Sequence, residues 1–469
     1  MFAGLNAETN TSAGNLAEVV LQSTGRNMPS GDNRLNASIT QTLLRSGAVT
    51  SAANKMRYSK IRIMGGKLKI FNGNILTPYR LIRQGTVVVS GGKIVEVSAG
   101  NIDVPDAEEI DAKGNYIAPG FIDMHVHGGG GHDFMDGSEN AFLKIAETHA
   151  QYGTTAMLPT TLTAETEELY KTLELYEQAN RNNTAGAQFL GIHLEGPYFA
   201  MSQRGAQDPR YIRNPDPKEY KAILSRSSSI KRWSAAPELE GAIEFAHYLK
   251  SKGILVALAH TDALYDETLL AFENGYTLAT HFYSCMTGVT RKNALRYAGV
   301  VESAYLIDEM DVEVIADGIH CPPPLLKLIC KIKGTDRMAL ITDSMRAAGM
   351  PEGNSILGSL HDGLKVIVED GVAKLPDRTS FAGSVATADR LVRTMVKEAE
   401  IPLLEAVRMI TNTPASILGI TDRKGTLIPG KDADIVIFDG DIQVQKTIVN
   451  GRVIFDKELD KQNLELALK

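Results

Sequence analysis

At 469 residues the chain is too long for one ordinary domain, so two folded units are expected. It is 43% hydrophobic, enough for a large core, yet no apolar run reaches the ~18 residues that a membrane-spanning helix needs. The net charge of −7 argues against a nucleic-acid or membrane-surface protein, although a few local cations can still dominate a cleft that receives a small anion.

Residues 1–57 are polar and rich in Ser, Asn, Thr and Gly, as in "NAETNTSAGN" and "MPSGDNRLNAS", and read as a mobile N-terminal extension or as sequence upstream of a start near Met56. No basic segment leads into an apolar one, so the stretch does not read as a secretory signal. Glu8, Glu18 and Asp32 interrupt a transit-peptide pattern. From residue 58, "KIRIMGGKLKIFNGNILTP", "GTVVVSGGKIVEVSAG" and "NYIAPGF" read as short strands punctuated by Gly and Pro turns. A matching block, "GTLIPGKDADIVIFDGDIQVQKTIVNGRVIFD", closes the chain. Segments 58–119 and 425–460 are therefore expected to build one small β domain, a β-sandwich, from both ends.

Between them the pattern alternates. The apolar runs are "FIDMHVH", "TTAMLPTT", "AQFLGIHLE", "IKRWSAAPE", "GILVALAH", "YTLATH", "VEVIADGIH" and "RMALITD". Helical stretches at 139–152, 164–182, 239–252, 265–275 and 322–332 intervene, with more helix after the eighth run. Eight strands alternating with helices predict an α/β fold, a parallel (β/α)₈ TIM-like barrel over 120–424. Three cysteines, Cys285, Cys321 and Cys330, occur with no CxxC spacing. That usage suits a reducing compartment, the cytoplasm, and leaves a cysteine-based zinc site without support.

The predicted strands end in groups that bind metals or move protons: His125 and His127, Glu195, His260, His281, Asp317 with His320, and Asp343. In a strand, residues two apart share a face, so His125 and His127 project together. C-terminal strand ends converge on one mouth in such barrels. Imidazoles and carboxylates without thiolates suit a divalent metal, zinc, iron or manganese, in an open hydrolytic site. Glu195, His260 and His281 form one ligand set, and His125, His127 and Asp343 could complete a second. The four glycines after His127 are expected to turn the chain over the mouth and leave room for substrate. His132, His149, His193, His247 and His361 read as surface or packing residues.

"PGFIDMHVHG" resembles the opening signature of the amidohydrolase superfamily. "GIHLEGPY", "LAHTDA", "THFYSCM", "IADGIHCPP", "ITDSMRAAGMPEG" and "FAGSVATADRLVR" together resemble its N-acetylglucosamine-6-phosphate deacetylase family. The likeness covers about residues 60 to 456. It implies hydrolysis of the acetamide of an amino-sugar phosphate, with one or two divalent metals per subunit. Glu195, His260 and His281 match the principal metal ligands, and Asp343 matches the catalytic acid/base. His320 matches a substrate-contacting histidine, and Ser284–Cys285 match the place where backbone amides hold the sugar phosphate. Retention of His125 and His127 implies a second metal position. Two departures stand out. Gln207 in "RGAQ" replaces a histidine that polarises the acetyl carbonyl in the family, and "SCMTGVTRKNALRYAGV" leaves Arg291, Lys292 and Arg296 as candidate phosphate partners without a clear alignment. The resemblance also implies a homo-oligomer, dimer or tetramer, and no nucleic-acid or membrane partner. The same chemistry on N-acetylgalactosamine 6-phosphate is the nearest rival. A dihydroorotase or nucleobase deaminase, or a non-catalytic scaffold of the same fold, stands further off.

Overall fold

The computed structural model describes residues 66–467; the N-terminal segment 1–57, read above as an extension, lies outside them. Five strands from the first part of the chain, Lys67–Leu76, Leu81–Ser90, Lys93–Ser98, Ala107–Asp111 and Tyr116–Pro119, join three from the last part, Ile435–Phe438, Val444–Val449 and Arg452–Asp456, in one eight-stranded sheet. The two parts meet where Tyr116–Pro119 pairs antiparallel with Ile435–Phe438. Two hairpins shape the sheet. Gly91–Gly92 (φ 58° and 76°) and Asn450–Gly451 (φ 49° and 74°) both take the left-handed pair of angles that matches strand twist in a two-residue turn. The segment before Ile435 joins them: Ala433 N–H donates to Gly92 O and Ile94 N–H to Lys431 O, each at 2.9 Å, while Gly451 N–H donates to Ala433 O at 2.9 Å. The sheet thus curls over its own apolar side, and Leu68, Ile70, Val87, Ile117, Ile437 and Ile448 share one core.

Gly120 separates this sheet from the barrel. A Cβ there would lie 2.1 Å from Thr155 Oγ1, so only glycine lets the chain pass from one layer into the next. The barrel strands are β1 (Phe121–Val126), β2 (Thr154–Pro159), β3 (Ile192–Glu195), β4 (Ile230–Ala235), β5 (Leu255–Leu258), β6 (Tyr276–Ala279), β7 (Asp311–Val314) and β8 (Met338–Leu340). β3 to β8 pair in sequence, all parallel. β1 pairs with β2. Parallel bridges Thr160↔His193 and Val126↔Ser344 join β2 to β3 and β8 to β1, closing the ring. This is the expected (β/α)₈ barrel.

Eight helices follow the strands in turn: α1 (Glu139–Ala150), α2 (Thr166–Asn182), α3 (Pro217–Arg226), α4 (Ala242–Ser251), α5 (Tyr265–Glu273), α6 (Val300–Leu306), α7 (Pro323–Lys333) and α8 (Ala388–Lys397). Local chemistry sets their starts. Ser138 accepts from Ala141 N–H at the head of α1, and Asp216 caps α3, whose first residue is Pro217. Because helices cover the outside and side chains fill the inside, β1 and β2 are buried along their whole length. Met124, Leu158, Ala257, Leu278, Ile315, Ala339 and Ile341 pack inside the ring.

Several elements are absent from the sequence reading, among them a short hairpin of Gly128–Gly129 with His132–Asp133. An antiparallel sheet, Gly353–Leu357, Leu364–Glu369 and Val372–Lys374, is inserted between β8 and α8. A hairpin of Thr290–Lys292 and Leu295–Tyr297 stands between β6 and α6. A helix, Lys457–Ala467, follows the last strand of the terminal sheet. No helix among the described residues is long and apolar enough to cross a membrane.

Candidate metal centre and active site

At the C-terminal mouth of the barrel, four imidazoles and two carboxylates point at one another. Glu195, the last residue of β3, lies at the centre. One of its oxygens is 3.4 Å from His125 Nε2, 3.5 Å from His260 Nε2 and 3.0 Å from His281 Nε2; the other is 3.4 Å from His127 Nε2. Asp343 Oδ1 closes the far side, 3.5 Å from His125 Nε2 and 3.2 Å from His127 Nε2. All six side chains are buried.

The positions follow from the strands. His125 lies within β1 and His127 one residue past it, so both face the barrel axis. His260 and His281 lie two residues beyond β5 and β6, and Asp343 three beyond β8. These last three have positive φ (47°, 32° and 47°). Non-glycine residues rarely take such angles, and where they do the surroundings hold them there, often at functional sites. Here each left-handed residue turns its side chain back over the mouth.

The donor set fits divalent metal. The Nε2 atoms of His125 and His127 lie 3.2 Å apart, as do those of His260 and His281. Ring nitrogens that face each other in pairs, next to buried carboxylates, call for a cation between them. His125, His127 and Glu195 form one such group and Glu195, His260 and His281 another, with Glu195 common to both. The rings are held from behind: His260 Nδ1 faces Gln203 O at 2.8 Å, and His127 Nδ1 faces Thr160 O at 3.3 Å. Burial pushes the Glu195 carboxyl up, but His125, His260, His281 and His127 together hold it well below the ordinary range. Asp343 is shifted the same way, burial again opposed by His125, His127 and His281. Both are carboxylates.

Gln207 does not lie free over the cavity. Its amide oxygen accepts from Thr163 N–H at 2.9 Å and Thr163 O–H at 3.0 Å, which turns its NH₂ onto Glu195 Oε2 at 2.7 Å. In this arrangement it steadies the shared carboxylate.

The mouth opens into a cavity of about 240 Å³, lined by the metal-facing groups other than His125 and by Gln207, Tyr283, Ser284, Cys285, His320, Leu357 and Phe381, among others. His320 Nδ1 pairs with Asp317 Oδ2 at 2.8 Å and its ring packs on Phe381, leaving Nε2 as the nitrogen free for a ligand. Ser284 N–H donates to His281 O at 2.9 Å. Arg291, Lys292 and Arg296 are not among the cavity-lining residues; they sit on the exposed hairpin after β6.

The glycines after His127 act differently from the expectation. None of Gly128, Gly129, Gly130 and Gly131 lines the cavity. A Cβ on Gly128 would lie 2.3 Å from His132 O and 2.8 Å from Arg346 N, and one on Gly130 would lie 2.2 Å from Thr148 Oγ1. Their smallness lets the loop pack against α1 and the chain after β8.

Of the histidines read as surface or packing, His149 is buried and bonded to Gly128 O at 2.9 Å, while His247 pairs with Asn274 at the surface. His193 is buried in the barrel, between Ser234 Oγ at 2.7 Å and Thr160 Oγ1 at 3.2 Å, edge-on to the His125 ring. Burial holds it well below the usual imidazole range, so it is neutral. The sequence reading missed Thr163, Tyr283 and Phe381 around the cavity, and Arg232 and Glu313 beneath it. The last two carried a signal: each is a charge inside a barrel strand, IKRWSA and DVEV.

Residues 116–454 match the amidohydrolase family. The chain is 35% identical over 406 residues to an N-acetylglucosamine-6-phosphate deacetylase of Bacillus subtilis, covering 85% of this chain and all of the relative. It is also 35% identical over 338 residues to an N-acetylgalactosamine-6-phosphate deacetylase of Escherichia coli O157:H7, covering 72% and 87%. Among solved structures, a mutant N-acetyl-D-glucosamine-6-phosphate deacetylase of Mycobacterium smegmatis in complex with N-acetyl-D-glucosamine 6-phosphate superposes with a TM-score of 0.76 at 30% identity, covering 83% of this chain and 100% of that one.

Proposed function

This chain belongs to the amidohydrolase family, and from that premise we propose that it hydrolyses the acetamide of N-acetyl-D-glucosamine 6-phosphate, releasing acetate and D-glucosamine 6-phosphate. The observation that carries the reading is the shared carboxylate: Glu195 faces four imidazole nitrogens, with Asp343 opposite, at the floor of a cavity of sugar size. Glu195, His260 and His281 would hold one divalent cation, and His125, His127 and Glu195 a second. Zinc, iron and manganese all suit these ligands. Such a cation supplies Lewis acidity at the amide carbonyl and lowers the pKa of adjacent water to about 7.

The remaining steps fall to the chain's own side chains. Asp343, held as a carboxylate, takes a proton from the attacking water as its oxygen bonds to the acetyl carbon. When the carbon–nitrogen bond breaks, Asp343 returns that proton to the leaving amine. His320, oriented by Asp317, offers Nε2 to the substrate. Tyr283 and Phe381 are among the residues that line the cavity. The Cys285 backbone would meet the phosphate end.

Acetate release from a panel of N-acetylated hexosamines, with and without the 6-phosphate, tests the reading. The 6-phosphate of N-acetylglucosamine should turn over fastest. The galacto epimer is the second reading, since a relative named for that activity is also 35% identical, over a shorter span, and faster turnover of that sugar would replace the first. No acetate from either by the metal-loaded protein would refute both. Assembly as a homo-oligomer, carried by the resemblance, is read by sedimentation velocity.

A further inference from the structure

Directly under His125 the barrel interior holds a buried ion pair. Arg232, in β4, and Glu313, in β7, face each other across the axis, each with no exposed side chain. Two-point contact joins them: Nη1 meets one Glu313 oxygen and Nη2 the other. The guanidinium also donates to Thr280 Oγ1 at 2.8 Å and to Met124 O at 3.2 Å, the residue just before His125. Barrel interiors of this kind are ordinarily filled with branched apolar side chains. A buried ion pair is expensive to desolvate and is weak evidence for stability by itself. Its location suggests another use. His125 Nδ1 is buried and makes no hydrogen bond, yet it lies 3.5 Å from Glu313 Oε2. Two of the other three imidazoles at the centre turn Nδ1 to a backbone carbonyl; His125 alone turns it to a carboxylate. A ligating imidazole with Nε2 free must carry its proton on Nδ1, and the partner of Nδ1 selects that tautomer.

We propose that Glu313, itself fixed by Arg232, is the positioning residue for His125: it holds the proton on Nδ1 and aims Nε2 at the cation position shared with His127 and Glu195. The Met124 contact fixes the backbone of β1 at the same place, so side chain and strand are set together. The proposal rests on the two-cation reading above.

The test uses the full-length protein, stripped of metal and titrated with Zn²⁺, with bound metal counted by elemental analysis. Wild type should take up two equivalents, and His125→Ala should lose one of them. Glu313→Gln should weaken that same equivalent by ~10–100-fold, the usual effect of removing a ligand's hydrogen-bond partner. The equivalent on Glu195, His260 and His281 should keep its wild-type affinity. Glu313→Gln strands a buried guanidinium, so Arg232→Met/Glu313→Leu is measured beside it. The double variant removes both charges at similar volume and should show the same selective loss. Glu313→Asp, which withdraws the charge by one methylene, should weaken the equivalent less. Two equivalents at wild-type affinity in either carboxylate-free variant overturn the proposal. So does equal weakening of both, which would mark general loosening of the barrel, and so does a double variant that does not fold, which would make the pair a structural brace. A single equivalent in wild type overturns the two-cation reading, and the proposal with it.

Discussion

Asp343 lies 3.2 Å from His127 Nε2 and is held ionised by the surrounding imidazoles. It belongs to neither metal-ligand triad of His and Glu residues, so its replacement separates proton transfer from metal binding. Asp343→Asn should keep the cation on Glu195, His260 and His281 and lose ~10²–10⁴-fold in kcat, the usual range for a general acid–base group; elemental analysis and steady-state kinetics on the same sample decide it. Glu195 belongs to both triads, so Glu195→Ala should empty both positions, read by the same metal analysis. Gln207 is the residue whose contacts bear most on its role. The sequence set it over the acetyl carbonyl; the fold pins its oxygen to Thr163 and its NH₂ to Glu195. Gln207→Ala should therefore weaken Zn²⁺ by ~10–100-fold, as removal of a ligand's orienting partner does, measurable by competition with a chromogenic chelator. A large loss of kcat with unchanged Zn²⁺ affinity would return Gln207 to the carbonyl.

At the scale of elements, the strand-to-loop passage after His127 depends on a close approach that only glycine permits. Gly128→Ala would push a methyl into His132 O and the Arg346 backbone. Overpacking of this kind costs typically ~1–3 kcal/mol, so the variant should melt lower and bind less metal at the His125/His127 position. Lys333, at the end of α7, reaches the end of α6: its ammonium donates to Ala304 O at 2.8 Å, Ile307 O at 2.9 Å and Asp308 O at 3.3 Å. It satisfies carbonyls that the helix end leaves open. Burial lowers its pKa from the ordinary lysine range. Lys333→Met should lower the melting temperature, through a loss of ~1–3 kcal/mol for buried acceptors left unpaired, with kcat/KM unchanged. A lysine at the end of an amphipathic helix is an ordinary surface residue by sequence; that it caps a different helix is decided by how α6 and α7 pack.

For the whole molecule, the two metal-ligand triads draw on β1, β3 and the chain just after β5 and β6, so the bound cations together tie four separated segments. Ligands that bind only the folded state stabilise it by mass action, about 4 kcal/mol at a thousandfold excess over Kd. Chelation should lower the melting temperature and Zn²⁺ should restore it, while Glu195→Ala should respond to neither. Each imidazole must be unprotonated to ligate; burial lowers the metal-free rings, but the anionic groups beside them raise His127 to about 9 and lift His260 and His281 above the ordinary range, so the Zn²⁺-induced rise in melting temperature should already shrink as pH falls below about 9. A rise independent of pH would place the cation elsewhere.

The barrel was legible because its signals are local and periodic. Eight apolar runs separated by amphipathic stretches dictate parallel strands covered by helices, and the polar residues that end those runs must converge, because the C-terminal ends of parallel strands share one face. That much reaches His125, His127, Glu195, His260, His281 and Asp343 from sequence alone. The inserted sheet had a signal too, in the alternation of "GLKVIVEDGVAKL" around Asp370–Gly371. What tertiary structure alone decided is which way side chains turn once strands are in register. Gln207 is oriented by Thr163, 44 positions away in sequence. Arg291 and Arg296 stand on an exposed hairpin instead of at the cavity wall. Arg232 and Glu313 meet inside the ring although 81 positions separate them. The Gln207–Thr163 and Arg232–Glu313 relations have no period or turn to announce them. The second arises from the closure of the barrel, which brings distant residues to one level of the axis and leaves a buried charge no stable place except against its partner.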